Sequence, residues 1–297
     1  MTAADSEQRS REFAAERAQL VTLAYRMLGE LSRAEDMVQE AWLRWQASEV
    51  VPDSARAYLI TIVTRLCLNE LDSARARKEE SRGDRLPEPI DLQATGLAAV
   101  ERLEAVSMAF GVVLQRLTPA ERAVLLLHDV FDFEHDEIAR LVDKSAPACR
   151  KLLERARRSV RDGRRLLAAT TEEHRRLLQA FLAAATAGDV AGLAVLLADD
   201  AVLVSDGGQS GRALGGFRNL TRPLAGAARV AAFVVAATAR GAPAFQIEER
   251  ELNGQPALLL FDGERPSAAI LLAVADGKIE RVFFHADLER LAHVGTR

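Results

Sequence analysis

Three groups of residues have the types and spacing to do chemistry. The first is basic. Between Lys144 and Arg165 the chain carries nine basic residues (Lys144, Arg150, Lys151, Arg155, Arg157, Arg158, Arg161, Arg164 and Arg165) against two acids, Glu154 and Asp162, a local charge of +7. A helix that is merely solvated mixes signs at i,i+4 spacing, whereas one-signed charge suits the phosphates that dominate nucleic-acid affinity. The second group is acidic and aromatic: Glu35, Asp36, Gln39, Glu40, Trp42 and Trp45 within one helical stretch. Its polar stripe beside tryptophans suits docking on a basic partner, although taken alone it fits better an ordinary amphipathic helix with Trp42 in the core. The third group comprises the acid–base candidates after residue 200: Asp206, Glu248, Asp262, His285 and Asp287. Proton transfer by a buried carboxylate also needs oxyanion donors, and both tyrosines, Tyr25 and Tyr58, lie near the N-terminus. Asp206 before Gly207-Gly208 and Asp262 before Gly263 are what turn aspartates look like without catalysis. The expectation is a protein that is not an enzyme and holds no cofactor or metal.

The elements that must position these residues change character along the chain. Up to about residue 168 the pattern is helical, with apolar residues at Phe13, Leu20, Leu23, Ala24, Met27 and Leu28 marking the first face. Ser32 with Glu35 three places on predicts a capping box opening a second helix to about Gln46. A third should follow Pro52-Asp53 and run through Tyr58 and Asp72 into Arg75, Arg77 and Lys78. Two prolines and a glycine over Ser81–Pro89 read as a loop or linker. Helical periodicity resumes near Ala98. Thr118-Pro119-Ala120-Glu121 has the cap, the proline and the glutamate of a helix start, and helices are expected over 118–131, 134–142 and 145–168. A tight Asp143-Lys144-Ser145 turn between the last two makes a helix-turn-helix, with Ser145, Ala146, Ala148, Arg150 and Lys151 at the groove-facing start and Arg155, Arg157 and Arg158 along the backbone. Beyond Thr171, helices over 172–187 and 189–197 precede alternating runs that read as strands, with Asn253-Gly254, Asp262-Gly263 and Asp276-Gly277 as hairpin turns. This half reads as α+β with an antiparallel sheet.

Composition narrows the function classes. A chain of 297 residues that is 49% hydrophobic has enough apolar content for two or three cores. Its net charge of -4 excludes a wholesale nucleic-acid coat, so that role must be local. Two cysteines, Cys67 and Cys149, support no disulfide framework. Met1–Arg11 is polar with no apolar run behind it, and Val230–Ala239 is too short to span a bilayer, so a soluble, cytoplasmic protein is expected.

Glu35-Asp36-Met37-Val38-Gln39-Glu40-Ala41-Trp42, then Tyr58–Asn69, then the helix-turn-helix over 118–158 resemble, in order and spacing, an extracytoplasmic-function (ECF) RNA polymerase sigma factor. The resemblance implies a multidomain fold: an all-α sigma-2 domain over 8–82, a linker over 83–103, an all-α sigma-4 domain over 104–168, and a tail over 172–297. It implies docking on core RNA polymerase through Asp36, Gln39 and Glu40. Promoter DNA would be read at the −10 element by the third helix and the loop before it, and at the −35 element by the recognition helix. Leu86-Pro87-Glu88-Pro89 and Asp206-Gly207-Gly208 further resemble motifs of the subgroup with a C-terminal SnoaL-like domain, an α+β cone-shaped barrel. The chain departs from that pattern at Arg85, Gln209 and Asp72. The resemblance implies that the tail regulates in cis through Leu86, Pro87, Glu88, Pro89, Asp206, Gly207 and Gly208, and that the free protein is a monomer off the membrane. Two alternatives stay open at this level: a helix-turn-helix regulator with a ligand-sensing tail, and a SnoaL-like isomerase or cyclase with a helical appendage.

Overall fold

The computed structural model describes residues 3–76, 86–91, 107–163, 169–208, 213–214, 217–218, 220, 222–241 and 245–295. The chain forms two compact units: Met1–Glu79 with Val113–Asp162, and Glu80–Val112 with Gly163–Arg297.

The first unit is helical. It holds α1 (Ala3–Leu28), α2 (Leu31–Ala47), α3 (Ala55–Ala76), the end of α4 (Met108–Arg116), α5 (Pro119–Asp129), α6 (His135–Leu141) and α7 (Ala146–Gly163). Each helix forms because its apolar residues make one stripe. On α2 the buried positions are Leu31, Ala34, Val38, Ala41 and Trp45, the three-and-four spacing that keeps side chains on one face. Gly29, at φ +77°, ends α1 and leaves a two-residue connection, so α2 starts at Leu31 behind Glu30. The capping box expected at Ser32 is therefore not formed. Ser32 already sits in the first turn, and the Glu30 carboxylate pairs with Arg33 at 2.9 Å instead. α5 has its expected capping box, Thr118 and Glu121 each capping the other's backbone N–H. Within this unit α3 packs on α5 and α6. The buried Arg122 of α5 donates to the Met27 and Leu117 carbonyls, supplying charge-assisted bonds to orphan acceptors, the first of them near the α1 C-terminus.

The second unit is α+β. Helices α8 (Thr171–Ala187) and α9 (Val190–Leu196) precede β1 (Leu197–Asp206), the short β2 (Ala213–Leu214), β3 (Phe217–Arg218) and β4 (Leu224–Ala225), α10 (Ala227–Gly241), and the meander β5 (Gln246–Leu252), β6 (Gln255–Asp262), β7 (Arg265–Ala275) and β8 (Lys278–His285). The main sheet runs β4-β1-β8-β7-β6-β5, with β1 parallel to β8 and the other pairs antiparallel. Asn253-Gly254 and Asp276-Gly277 take positive φ as type I′ hairpins require. At the third hairpin the turn residues are Gly263 and Glu264, because Asp262 is still paired with Arg265, so the expected Asp262-Gly263 turn shifts by one. Helix α10 falls where the sequence offered only an apolar run, Val230–Ala239.

Both faces of the sheet are apolar. Leu258, Leu272, Val274, Ile279 and Val282 point one way, under α8–α10 with Phe181, Leu193, Val230 and Val234. Their alternating neighbours Leu259, Phe261, Leu271, Ala273 and Phe283 point the other way, since successive side chains of a strand take opposite faces. That second face is covered by Leu86, by Met108 and Ala109, and by Leu291 and Val294.

Candidate functional site

The acidic group stands on the outer side of α2. Asp36 and Gln39 are exposed, Glu40 is half-buried, and Leu43 beside them is 54% exposed. Glu35 reaches Arg17 at 3.6 Å and Glu40 reaches Arg44 at 2.8 Å, while Asp36 has no partner among the described residues. The tryptophans sit behind this face. Trp42 packs on Phe13 with ring centroids 4.7 Å apart, and Trp45 is buried against Tyr58. Arg9 locks the far end of α2. Its guanidinium lies 4.8 Å from the Trp45 ring and donates to the Trp45 carbonyl at 2.8 Å, to Ser48 O at 2.5 Å and to Val50 O at 3.2 Å. A cation at the negative end of the helix dipole is favourable there, and it orders the start of the loop that carries Val50 and Val51, exposed by 53% and 89%.

The basic group is a helix-turn-helix. Asp143, at φ +52°, turns the chain between α6 and α7, and Ser145 Oγ accepts from Ala148 N at 3.4 Å. Cys149, Leu152, Leu153, Ala156 and Val160 form the buried stripe of α7. Ser145, Arg150 and Lys151 are exposed, Ala146 and Ala148 partly so. Arg150 and Lys151 have no partner among the described residues. The arginines further along differ. Arg155 Nε pairs with Glu121 at 3.1 Å, Arg158 with Glu154 at 3.1 Å, and Arg157 makes a fork to Asp129 at 2.5 and 3.1 Å with a further contact to His128 Nδ1 at 3.3 Å. Although burial opposes ionisation of Asp129, the Arg157 and His128 bonds hold its carboxyl below the usual range, and the same fork raises Arg157. Arg164 and Arg165 lie outside the described residues, as do Arg85 and Gln209; Asp72 is exposed on α3.

The third group meets in the second unit. Asp206, 5% exposed at the end of β1, accepts from Leu86 N at 3.0 Å and from Gly208 N at 3.0 Å. Arg290 stands 3.8 Å from Asp206 and 4.0 Å from Asp287, and donates to the Leu86 carbonyl. Gly208, at φ +72°, leaves no room for a side chain, since a Cβ there would lie 2.7 Å from the Asp287 carboxylate. Further along the strap, Ile90 and Asn253 bond reciprocally, Ile90 N to Asn253 Oδ1 at 3.0 Å and Asn253 N to Ile90 O at 2.8 Å. Glu88, 2% exposed, lies 3.6 Å from His293 Nε2, and Pro87 and Pro89 are buried. Gln255 accepts from Met108 N at 3.3 Å and donates to Leu272 O at 2.8 Å. Leu86–Asp91 is thus a buried strap on the outer face of the sheet. His285 lies beside it, fully buried, and neither ring nitrogen has a hydrogen-bond partner among the described residues. Burial holds that imidazole well below its ordinary value and neutral, the nearby Asp206 opposing the shift and Arg290 adding to it.

The structure therefore brings Asp206, His285 and Asp287 together and leaves Asp262 exposed and Glu248 paired with Arg250 at 2.9 Å. Asp206 spends both carboxylate oxygens on backbone N–H groups, which is what a structural cap does. Sequence reasoning missed Arg290, Asn253 and Gln255, and only Asn253 carried a local signal, as a turn residue. Among the described residues no cluster of three or more His, Cys, Asp or Glu could hold a metal ion, and no helix is long and apolar enough to cross a membrane.

Comparison with known proteins shows the family. Residues 13–77 match the family model for Sigma-70 region 2, and residues 107–160 that for Sigma-70 region 4. The ECF RNA polymerase sigma factor SigJ of Mycobacterium tuberculosis is 36% identical over 281 residues, covering 90% of this chain and 88% of that protein. The probable ECF RNA polymerase sigma factor SigI of the same organism is 32% identical, covering 90% and 89%. The crystal structure of M. tuberculosis SigJ superposes with a TM-score of 0.73 at 31% identity, over 96% of this chain and 98% of that one. Sigma regions in that order, each carried by the helices described above, and relatives matched nearly end to end leave one conclusion: the chain belongs to the extracytoplasmic-function sigma factors, which direct transcription initiation by RNA polymerase.

Proposed function

We propose that this sigma factor docks on core RNA polymerase through Asp36, Gln39 and Glu40, reads a −35 element with Ser145 and with Ala146, Ala148, Arg150 and Lys151 of α7, and acts at the −10 element through α3 and the Ser48–Ser54 loop before it. The observation that carries this reading is the set of unpartnered charges: Asp36 on α2 and Arg150 and Lys151 on α7 are exposed and uncommitted among the described residues. Exposed unpaired charge is what complementary partners use for steering and register. In the free chain α3 packs on α5 and α6 within one unit, and Arg122 ties α5 to α1. Spreading of sigma-2 (8–82) from sigma-4 (104–168) on polymerase would break those contacts.

The tail (172–297) regulates in cis in this reading, through Leu86, Pro87, Glu88 and Pro89 of the 83–103 linker and Asp206, Gly207 and Gly208. The hydrogen bonds of Asp206 to Leu86 and of Asn253 to Ile90 support it, because they fix the linker. The tail carries no catalysis and needs no cofactor, and the protein works as a cytoplasmic monomer until it meets polymerase. Run-off transcription on a promoter selected by the wild-type holoenzyme tests the whole reading. Gly208→Val in the full chain should change promoter output by altering the strap, whereas unchanged output from a folded variant makes the tail a passenger.

A further inference from the structure

We propose that Arg155 and Arg157 are positioning residues: held by Glu121 and Asp129 of α5, they set the angle at which α7 presents Arg150 and Lys151, and they do not contact promoter phosphate. The inference rests on the promoter-reading role of α7 given above. Seven residues is close to two helical turns, so Arg157 stands under Arg150 on one side of α7, about 10 Å further along. Four residues beyond Lys151, Arg155 stands about one turn further along. Spacing alone would extend the DNA contact straight down the helix. The structure instead commits the two lower arginines to carboxylates at opposite ends of α5. Glu121 holds Arg155 at 3.1 Å, and Asp129 forks to Arg157 at 2.5 and 3.1 Å. Glu121 is fixed in turn, its second oxygen accepting from Thr118 N at 3.0 Å and from the Thr118 hydroxyl at 2.8 Å. Two clamps spaced along one helix fix an angle where a single clamp would leave a pivot. At Arg157 planar, bidentate arginine–carboxylate geometry makes the clamp directional, while Arg155 adds a second, single-contact ion pair.

A half-exposed pair contributes little to stability, so the effect belongs in recognition. The test uses the full chain with bacterial core polymerase, a duplex selected by the wild-type holoenzyme from a randomised upstream-element pool, and a scrambled duplex. Arg157→Gln and Asp129→Asn should each weaken the selected duplex roughly two- to fivefold. Both should leave scrambled binding and the salt dependence unchanged. The double change Asp129→Arg with Arg157→Asp should recover most of the loss. Arg150→Ala, by contrast, should weaken the slope of log affinity on log salt by about one if its side chain also meets phosphate. Tighter binding by Asp129→Asn, or a salt slope weakened by about one in Arg157→Gln, would show a phosphate contact and overturn the proposal. A wild-type holoenzyme that selects no duplex overturns the promoter-reading role itself, and this inference with it. Unchanged circular dichroism of the variants secures the comparison, and the charge-swapped pair distinguishes lost orientation from lost structure.

Discussion

Replacing Asp206 by alanine removes a carboxylate whose surroundings leave nothing to substitute for it. Two backbone donors, Leu86 N and Gly208 N, lose their acceptor, and the Leu86 amide is buried. Leaving a buried donor unsatisfied costs about 1–3 kcal/mol, and the half-buried Gly208 amide, nearer water, loses less. Arg290, 7% exposed at its side chain, loses Asp206 at 3.8 Å and keeps Asp287 at 4.0 Å together with the Leu86 carbonyl. Breaking a buried ion pair outright costs about 3–5 kcal/mol, and a partly retained partner lowers that. These losses fall on one network and do not add in full. The expected loss is about 3 kcal/mol, a hundredfold or somewhat more in the opening equilibrium of the strap. Amide hydrogen exchange reads it directly. In Asp206→Ala the Leu86 amide should lose about two orders of magnitude of protection, while Ile90, held by Asn253, loses less. Asp206→Asn keeps one acceptor oxygen and should fall between. Wild-type protection at Leu86 in a folded Asp206→Ala chain would refute the reasoning, because the capping bond would then carry no free energy.

Three further outcomes follow from named contacts. Asp36→Lys with Glu40→Lys puts like charge against a basic partner and should weaken core-polymerase binding by several kcal/mol; undiminished pull-down by the folded double variant counts against the α2 docking face. Gly29→Ala forces a side chain into φ +77° and pushes its Cβ against the Gln115 amide, so the first unit should lose about 1–2 kcal/mol from the backbone strain, read by urea unfolding from the fluorescence of Trp42 and Trp45, both in that unit. His285 is held below its unfolded value, so the unfolded chain takes up a proton first as pH falls. Its contribution is intact above about pH 6.5 and is lost on acidification at up to about 1.4 kcal/mol per pH unit, and His285→Gln should flatten that part of the stability profile of the second unit.

The helix-turn-helix was legible because its signals are local: a capping box at Thr118, a turn at Asp143–Ser145 and charge of one sign along α7. The exposed acidic face of α2 was legible for the same reason, although its cap was misplaced. A Ser-x-x-Glu pattern cannot reveal that Gly29 has already committed Leu31 to the helix. Helix α10 was not read as a helix because Val230–Ala239 has no polar residue except Thr238 to mark a period. Asp206 illustrates the limit of local reading. Its glycines announce a turn, but its principal partner lies 120 residues away in the chain. Arg155 and Arg157 show the same limit: their charge was plain in the sequence, but the carboxylates that pair with them sit on another helix.

The two-faced sheet explains why the strap belongs where it does. Pro256-Ala-Leu-Leu-Leu-Phe261 and Ala268–Ala275 have no polar alternation, so β6 and β7 need cover on both sides. Helices α8 to α10 supply one cover from within the tail. The other draws on Leu86, 1% exposed, on Met108 and Ala109, and on the C-terminal Leu291 and Val294. Chain that lies between the two sigma regions in sequence is therefore part of the tail's core. Deleting 172–297 would strip the sheet from Leu86 and Met108 and leave them bare, so a truncated chain would report on exposed apolar surface as much as on lost regulation. Single changes that loosen the strap while keeping the sheet, such as Asp206→Asn and Gly208→Val, separate the two effects. If the strap couples the tail to initiation, these variants should alter promoter output in proportion to the protection lost at Leu86. If output and protection vary independently across such a series, the strap serves only to complete the tail's core.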